Sequence, residues 1–144
     1  MSKPSYRSQA EERFAKVLKD NSIVFKYEYE KLPYVMPAVT KKYLPDFKVG
    51  TETYIEFKGY FSGKDRKKLL AVKATNPGID LRIVFQADNI LSSKKTKVKK
   101  RYSDWARLHG FPYHVGISLP QEWIDEFKEA KIRRARKEKK APQG

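Results

Sequence analysis

Apolar residues change their spacing several times along this chain, and each change marks an element. Over SQAEERFAKVLKDN, Ala10, Phe14, Val17 and Leu18 recur at intervals of three and four, the stripe of a short amphipathic helix. Ser8 stands where that helix begins and Glu11 follows at the capping-box spacing. The period then drops to two. In SIVFKYEYE, residues 22–30, Ile23, Phe25, Tyr27 and Tyr29 alternate with Val24, Lys26, Glu28 and Glu30, which predicts a half-buried strand. Pro33 and Pro37 exclude helix from KLPYVMPAVTKK and weaken any central strand there, so 31–42 is expected to be an extended connector or edge segment.

YLPDFKV and TYIEFKG read as two strands about a turn at Gly50. SGKDRKKLLAVKATNPG reads as a helix, capped by Ser62 with Asp65 at the box position and stopped at Pro77-Gly78. LRIVF, residues 81–85, is a short central strand. A polar lysine-rich loop leads to a helix from Ser103 to Gly110, a last strand in FPYHVGI, and a helix opened by Pro120. Trp105, Trp123 and Phe127 belong to the core on this reading. The order predicts a mixed α/β fold, a three-stranded meander followed by a crossover helix and further strand.

Composition adds a partner to that outline. The 144 residues suit one domain: an arm at 1–7, a body at 8–130 and a basic, disordered tail at 131–144. Lys and Arg number 32 against 17 Asp and Glu, a net charge of +15 that attracts polyanions, nucleic acid before membrane surface. No cysteine is present, so disulfides, thiolate metal sites and a Cys nucleophile are excluded. No apolar run approaches a membrane span and MSKPSYRSQAEE is not a signal peptide, so a soluble cytoplasmic protein is expected.

The candidate chemistry lies in YLPDFKVGTETYIEFKG, residues 43–59. Charges inside strand-like apolar runs are costly unless exposed, paired or bound to a metal. Glu56 and Lys58 are two apart and share one face of their strand, while Ile55 and Phe57 share the other. The Gly50 turn can fold Asp46 back beside Glu56. Two converging carboxylates suit a hard divalent cation, and a lysine beside them suits phosphodiester hydrolysis. The plainer reading is an exposed Glu56–Lys58 ion pair, which fits most Glu-x-Lys strands. The Pro-Asp at a strand entrance and the excess of basic charge both weigh against it.

Glu11 is weighed likewise. A Glu three residues after a capping Ser is often only a capping residue. At 100° per residue, however, Glu11 lies beside Phe14 and Leu18, whereas Glu12 points away with Lys16 and Lys19. His109 and His114 are the only histidines, too few for a histidine metal site. Lys64, Arg66, Lys67 and Lys68 open the helix after the Glu56 strand, where they can clamp phosphates beside its anion-favouring N-terminus. Arg7, the loop containing Lys94, Lys95 and Lys97, and the tail from Lys131 to Lys140 are further candidates. A charge run is usually solvated, but with several on one small chain backbone contact with nucleic acid is the better reading for at least one.

Pro45-Asp46, nine residues, then Glu56-Phe57-Lys58 resembles the PD-(D/E)XK nuclease signature. RSQAEERF, LPYVMPA, YLPDF, IEFKG, DRKKLL, RIVF and the later HG and PQEWI blocks resemble, in order, the endonuclease I family of podoviral phages, over roughly residues 6–127. That family resolves four-way DNA junctions. The resemblance implies a restriction-endonuclease-like core, a mixed sheet flanked by helices, in a domain-swapped homodimer. It implies a site with two Mg²⁺ or Mn²⁺ ions, held by Glu11, Asp46 and Glu56 with Lys58 assisting, and branched DNA as partner in the cytoplasm of the host cell. Glu11 would come from one chain and the other three residues from its partner, with 31–42 as the bridge. Gln9-Ala10 ahead of Glu11 and the very basic loop at 94–101 depart from the family pattern and bear on substrate preference. The rival readings are another PD-(D/E)XK nuclease, of restriction, repair or transposition type, and a non-catalytic basic nucleic-acid-binding module.

Overall fold

The computed structural model describes residues 5–36, 39–91 and 99–140. Its first helix, α1 (Gln9–Asp20), starts at Ser8, whose hydroxyl accepts the Glu11 N–H at 3.0 Å. The box is half formed, because the Glu11 carboxylate bonds the Arg7 N–H and not that of Ser8. The helix ends in a Schellman motif: Ser22 N–H donates to Lys19 O, Ile23 N–H donates to Leu18 O, and Ser22 takes the left-handed conformation at φ 56°.

That ending consumes residues expected to begin a strand. Glu28 is also left-handed, at φ 46°, and its N–H turns to Asp46 O. Only Lys26–Tyr27 therefore forms a strand, β1, where alternation predicts one across 22–30. Ile23 is buried and Phe25 and Tyr27 pack against the core as the alternation requires, but Tyr29 is exposed. Residues 5–7 are held against the body, with the Tyr6 ring 4.5 Å from that of Tyr27 and Arg7 paired with Glu28 at 2.7 Å.

Of the two forms expected for the proline-containing segment, connector or edge segment, the structure has paired edge strands, a hairpin. Strands β2 (Leu32–Met36) and β3 (Val39–Tyr43) pair antiparallel, with Leu32 opposite Tyr43 and Pro33 opposite Lys42. Two strands forming their own small sheet have two outer edges, and an edge tolerates proline. Leu32, Tyr34 and Tyr43 bury themselves against the body, and Asn76 donates to Pro33 O at 2.7 Å.

The remaining elements are β4 (Phe47–Lys48), β5 (Thr53–Lys58), α2 (Gly63–Thr75), β6 (Asp80–Phe85), α3 (Tyr102–Leu108), β7 (Tyr113–Val115) and α4 (Gln121–Lys140). The main sheet is five-stranded and mixed, in the order β1-β4-β5-β6-β7. Its first two pairings are antiparallel and the last two parallel, so α2 and the segment containing α3 are the crossovers. Alternation along β5 and β6 sorts the core into two layers. Tyr54, Leu81, Ile83 and Phe85 face α2, α3 and the hairpin, while Ile55, Phe57 and Val84 face α1 and α4. Arg82, on the second face, is buried between Asp80 and Glu126 and ties α4 to the sheet, with hydrogen bonds of 2.6 Å and 2.8 Å to Glu126.

Helix α4 continues through residues 131–140, where the charge run reads as a disordered tail. Lys, Arg, Glu and Ala are strong helix formers, and Glu129 and Arg133 pair at the i,i+4 spacing. Among the described residues no helix is long and apolar enough to cross a membrane.

Candidate active site

The site is built where β4 and β5 run side by side. Phe47 lies opposite Ile55, which sets Asp46 beside Glu56, as the Gly50 turn predicts. Asp46 is only 9% exposed and accepts the Phe57 N–H at 2.9 Å; Glu56 is 4% exposed and accepts the Asp46 N–H at 3.4 Å. An exposed ion pair on a solvated face is therefore not what the structure contains. Lys58 reaches Glu56 Oε1 at 3.2 Å and Asp65 Oδ1 at 3.6 Å, and its own side chain is mostly covered.

Electrostatics follow from that burial. Loss of solvent, then the charges of Glu56 and Glu11, raise the Asp46 carboxyl well above the usual carboxylate range, against the Phe57 N–H and Lys58. Burial alone would lower the Lys58 ammonium, but Glu56, Asp65 and Asp46 outweigh it and raise its pKa. Lys58 is thus a fixed cation at neutral pH, fitted to donate hydrogen bonds and stabilise negative charge, not to act as a base.

Glu11 comes close enough for its charge to act on Asp46, and α1 carries it there because Phe14 packs 5.2 Å from Phe47 and 5.4 Å from Phe57. Its carboxylate, however, accepts the Tyr27 hydroxyl and the Arg7 N–H. Among the described residues no three Asp, Glu, His or Cys side chains gather tightly enough to enclose an ion. The Asp46–Glu56 pair is nonetheless a donor set that fits a divalent cation: two buried oxygen ligands whose mutual repulsion an ion would relieve.

Three residues of the site escaped sequence reasoning. The hydroxyl of buried Tyr43 donates to Glu56 Oε2, and that of half-buried Tyr27 donates to Glu11. Burial, and then the Glu56 charge, raises the Tyr43 phenol far above its ordinary value, so it remains a donor. Asp65 forms the expected capping box with Ser62, with both reciprocal bonds present, and also faces Lys58. Tyr43 opens YLPDF and Asp65 opens DRKKLL, so each sits inside a recognisable motif; what ties them to Glu56 and Lys58 is the course of the chain between.

The basic candidates separate. Lys64 and Lys67 are exposed at the start of α2. Arg66 is committed locally, donating to Phe61 O at 2.8 Å, and Lys68 lies 5.5 Å over the Tyr43 ring. Arg7 is tied to Glu28. Lys94, Lys95 and Lys97 lie outside the described residues.

A family model described as Phage endonuclease I matches residues 1–142. Endonuclease I of Escherichia phage T7 is 37% identical over a 128-residue alignment that covers 86% of this chain and 81% of that protein. Endodeoxyribonuclease 1 of Enterobacteria phage T3 is 32% identical over a 139-residue alignment that covers 88% of each chain.

Proposed function

This chain belongs to the phage endonuclease I family, and we propose that it hydrolyses phosphodiesters in branched DNA, chiefly four-way junctions, with the help of a divalent metal. The observation that carries the reading is the burial of Asp46 against Glu56 with Lys58 at 3.2 Å. A fold does not retain two adjacent buried carboxylates for stability, since each raises the cost of ionising the other.

Asp46 and Glu56 would hold Mg²⁺ or Mn²⁺, and Glu11, turning from Tyr27, would complete a second metal position. The bound ions would supply Lewis acidity at the scissile phosphate and a more acidic water. Lys58, kept protonated by its acidic neighbours, orients the attacking water or meets the charge that develops on phosphorus oxygens. Asp65 and Glu56 fix the ammonium from two sides. Lys64 and Lys67 lie in the opening turns of α2, the element that follows the catalytic strand, where they attract the phosphates flanking the cut.

The mixed sheet carrying these residues at the ends of β4 and β5 is read as a restriction-endonuclease-like core. The active form is read as a homodimer in which α1 is exchanged between copies, working in the cytoplasm of the host cell. The test is a panel of linear duplex, flap, mismatched and four-way DNA, with and without Mg²⁺ or Mn²⁺. Metal-dependent nicking strongest on the junction is expected. Preference for another substrate would favour a restriction, repair or transposition type of nuclease, and absence of cleavage with either ion would favour a basic binding module. Lys58→Ala should abolish nicking while leaving junction affinity within about threefold, because the lysine serves the chemistry and not the grip; wild-type rates in a folded variant would remove Lys58 from the mechanism.

A further inference from the structure

The carboxylates sit at one end of β4 and β5, and the other end holds a feature that cleavage does not use. A cleft of about 720 Å³ opens between the segment entering β1, the β4–β5 turn and α4. Apolar surface supplies most of its lining, and its charged lining residues are all basic: Lys26, Lys48, Lys128, Lys131 and Arg133, with no Asp or Glu among those described. Lys48 is already held by Glu30, and Arg133 meets Glu129 at 3.4 Å on the surface. Lys128 and Lys131 form no ion pair with any described residue, so the cleft keeps uncompensated positive charge.

Helix α4 sharpens the point. Among its described side chains the last buried one is Phe127; every residue from Lys128 to Arg133 is exposed, yet the backbone remains helical to Lys140. A cationic helix running beyond the core beside a cationic cleft is suited to a polyanion. A second copy meeting this face by symmetry would set the same lysines and arginine against one another. A lipid surface would ask for an exposed apolar stripe, and here only Val24 at the cleft and Ile132 on the helix are large apolar residues left exposed.

We propose that this cleft is a second phosphate-backbone site, which holds a duplex arm remote from the cut; the proposal rests on the reading of the chain as a branched-DNA nuclease. Hydrogen bonds from lysine and arginine to phosphate oxygens fix position without reading sequence. With α2 at one end of β5 and the cleft at the other, a branched molecule engages both with different arms. A linear duplex cut at α2 has no second arm to offer. The cleft thereby contributes to the preference for branches.

The test replaces Lys128, Lys131 and Arg133 together with Gln, which keeps helix propensity and removes three charges. The control removes three charges from the outer face of α1, as Arg13→Gln, Lys16→Gln and Lys19→Gln. Affinity for a labelled four-way junction and for linear duplex is measured in EDTA across a salt series, with nicking of saturating junction in Mg²⁺ and circular dichroism to confirm folding. The cleft variant should bind the junction at least tenfold more weakly, with a log–log salt slope shallower by about 0.9 for each phosphate that is no longer neutralised. Its linear-duplex affinity and saturated nicking rate should stay within about twofold of wild type, and the control should retain junction affinity. A cleft variant that matches the control overturns the proposal while leaving the nuclease reading intact. Wild-type protein with no preference for the junction overturns both. Self-association without DNA that disappears in the cleft variant would assign the cleft to a second copy and overturn it as well.

Discussion

Asp46 bears most of the cost of this site, and its titration shows how. Burial and the charges of Glu56 and Glu11 raise its carboxyl, so the folded state keeps a proton that the unfolded chain has released above the ordinary aspartate range. A group bound more tightly to its proton when folded lowers stability as pH rises from that range towards the folded value. Asp46→Asn keeps an oxygen for the Phe57 N–H and has no proton to take up on folding. It should melt several degrees higher near neutral pH, a gain of about 1–3 kcal/mol, with a flatter pH dependence and no nicking. Calorimetry from about pH 5 to about pH 9 without divalent ions checks this; identical melting at every pH would show that Asp46 carries no such cost. Tyr43→Phe probes the other carboxylate. It leaves buried Glu56 Oε2 with only the Asp46 N–H at 3.4 Å, and should lose about 1–2 kcal/mol of stability and at least tenfold in nicking. At this scale the placement of Asp46 beside Glu56, with Lys58 on the Glu56 face, was legible, because a two-residue period and one glycine turn settle their faces. Tyr43 was not, since its hydroxyl meets Glu56 only after the hairpin has folded, and no local pattern records that.

Among elements, the helices α1, α2 and the first half of α4 follow from apolar spacing and caps, and the misread strand has a physical cause. Residues 22–30 alternate as a strand should, but a Schellman ending outcompetes the strand at Ser22, and Glu28 leaves the extended region to bond Asp46 O. Pro33 weakens a central strand but leaves an edge strand open, and in a two-stranded sheet it sits at such an edge. Alternation reports which residues want burial; it does not report where the backbone hydrogen bonds go. The α2 capping box shows an element serving the site. Asp65 bonds the Ser62 N–H at 3.2 Å and faces Lys58, so the cap that starts the helix also positions the lysine. Ser62→Ala should cost about 1 kcal/mol of stability and lower the maximal nicking rate more than junction affinity, while Ser62→Thr should restore both. Equal loss of affinity and rate would mean that the cap serves only the fold.

At the scale of the whole molecule, α1 is seated by Phe14, Ala15 and Leu18 against Phe47, Ile55 and Phe57, and is linked to those strands through β1 and the β2–β3 hairpin. The packing that holds it is indifferent to which copy supplies the helix. If β2 of one copy pairs with β3 of the other, the hairpin register is kept as well, so exchange sacrifices little packing and gains two sites set about one axis. That arrangement suits two cuts across one junction, and it makes a prediction that activity alone can decide. Glu11→Gln and Asp46→Asn are each expected to be inactive. Co-refolded as a mixed dimer with exchanged helices, they yield one site carrying both changes and one carrying neither, so single nicks should return at up to about half the wild-type number of sites. If each chain instead supplies its own α1, every site holds one lesion and the mixture stays dead. A dead mixture, with the heterodimer verified by differently sized tags, would place Glu11 and Asp46 of each site in the same chain and leave the hairpin as a fold element with no part in exchange.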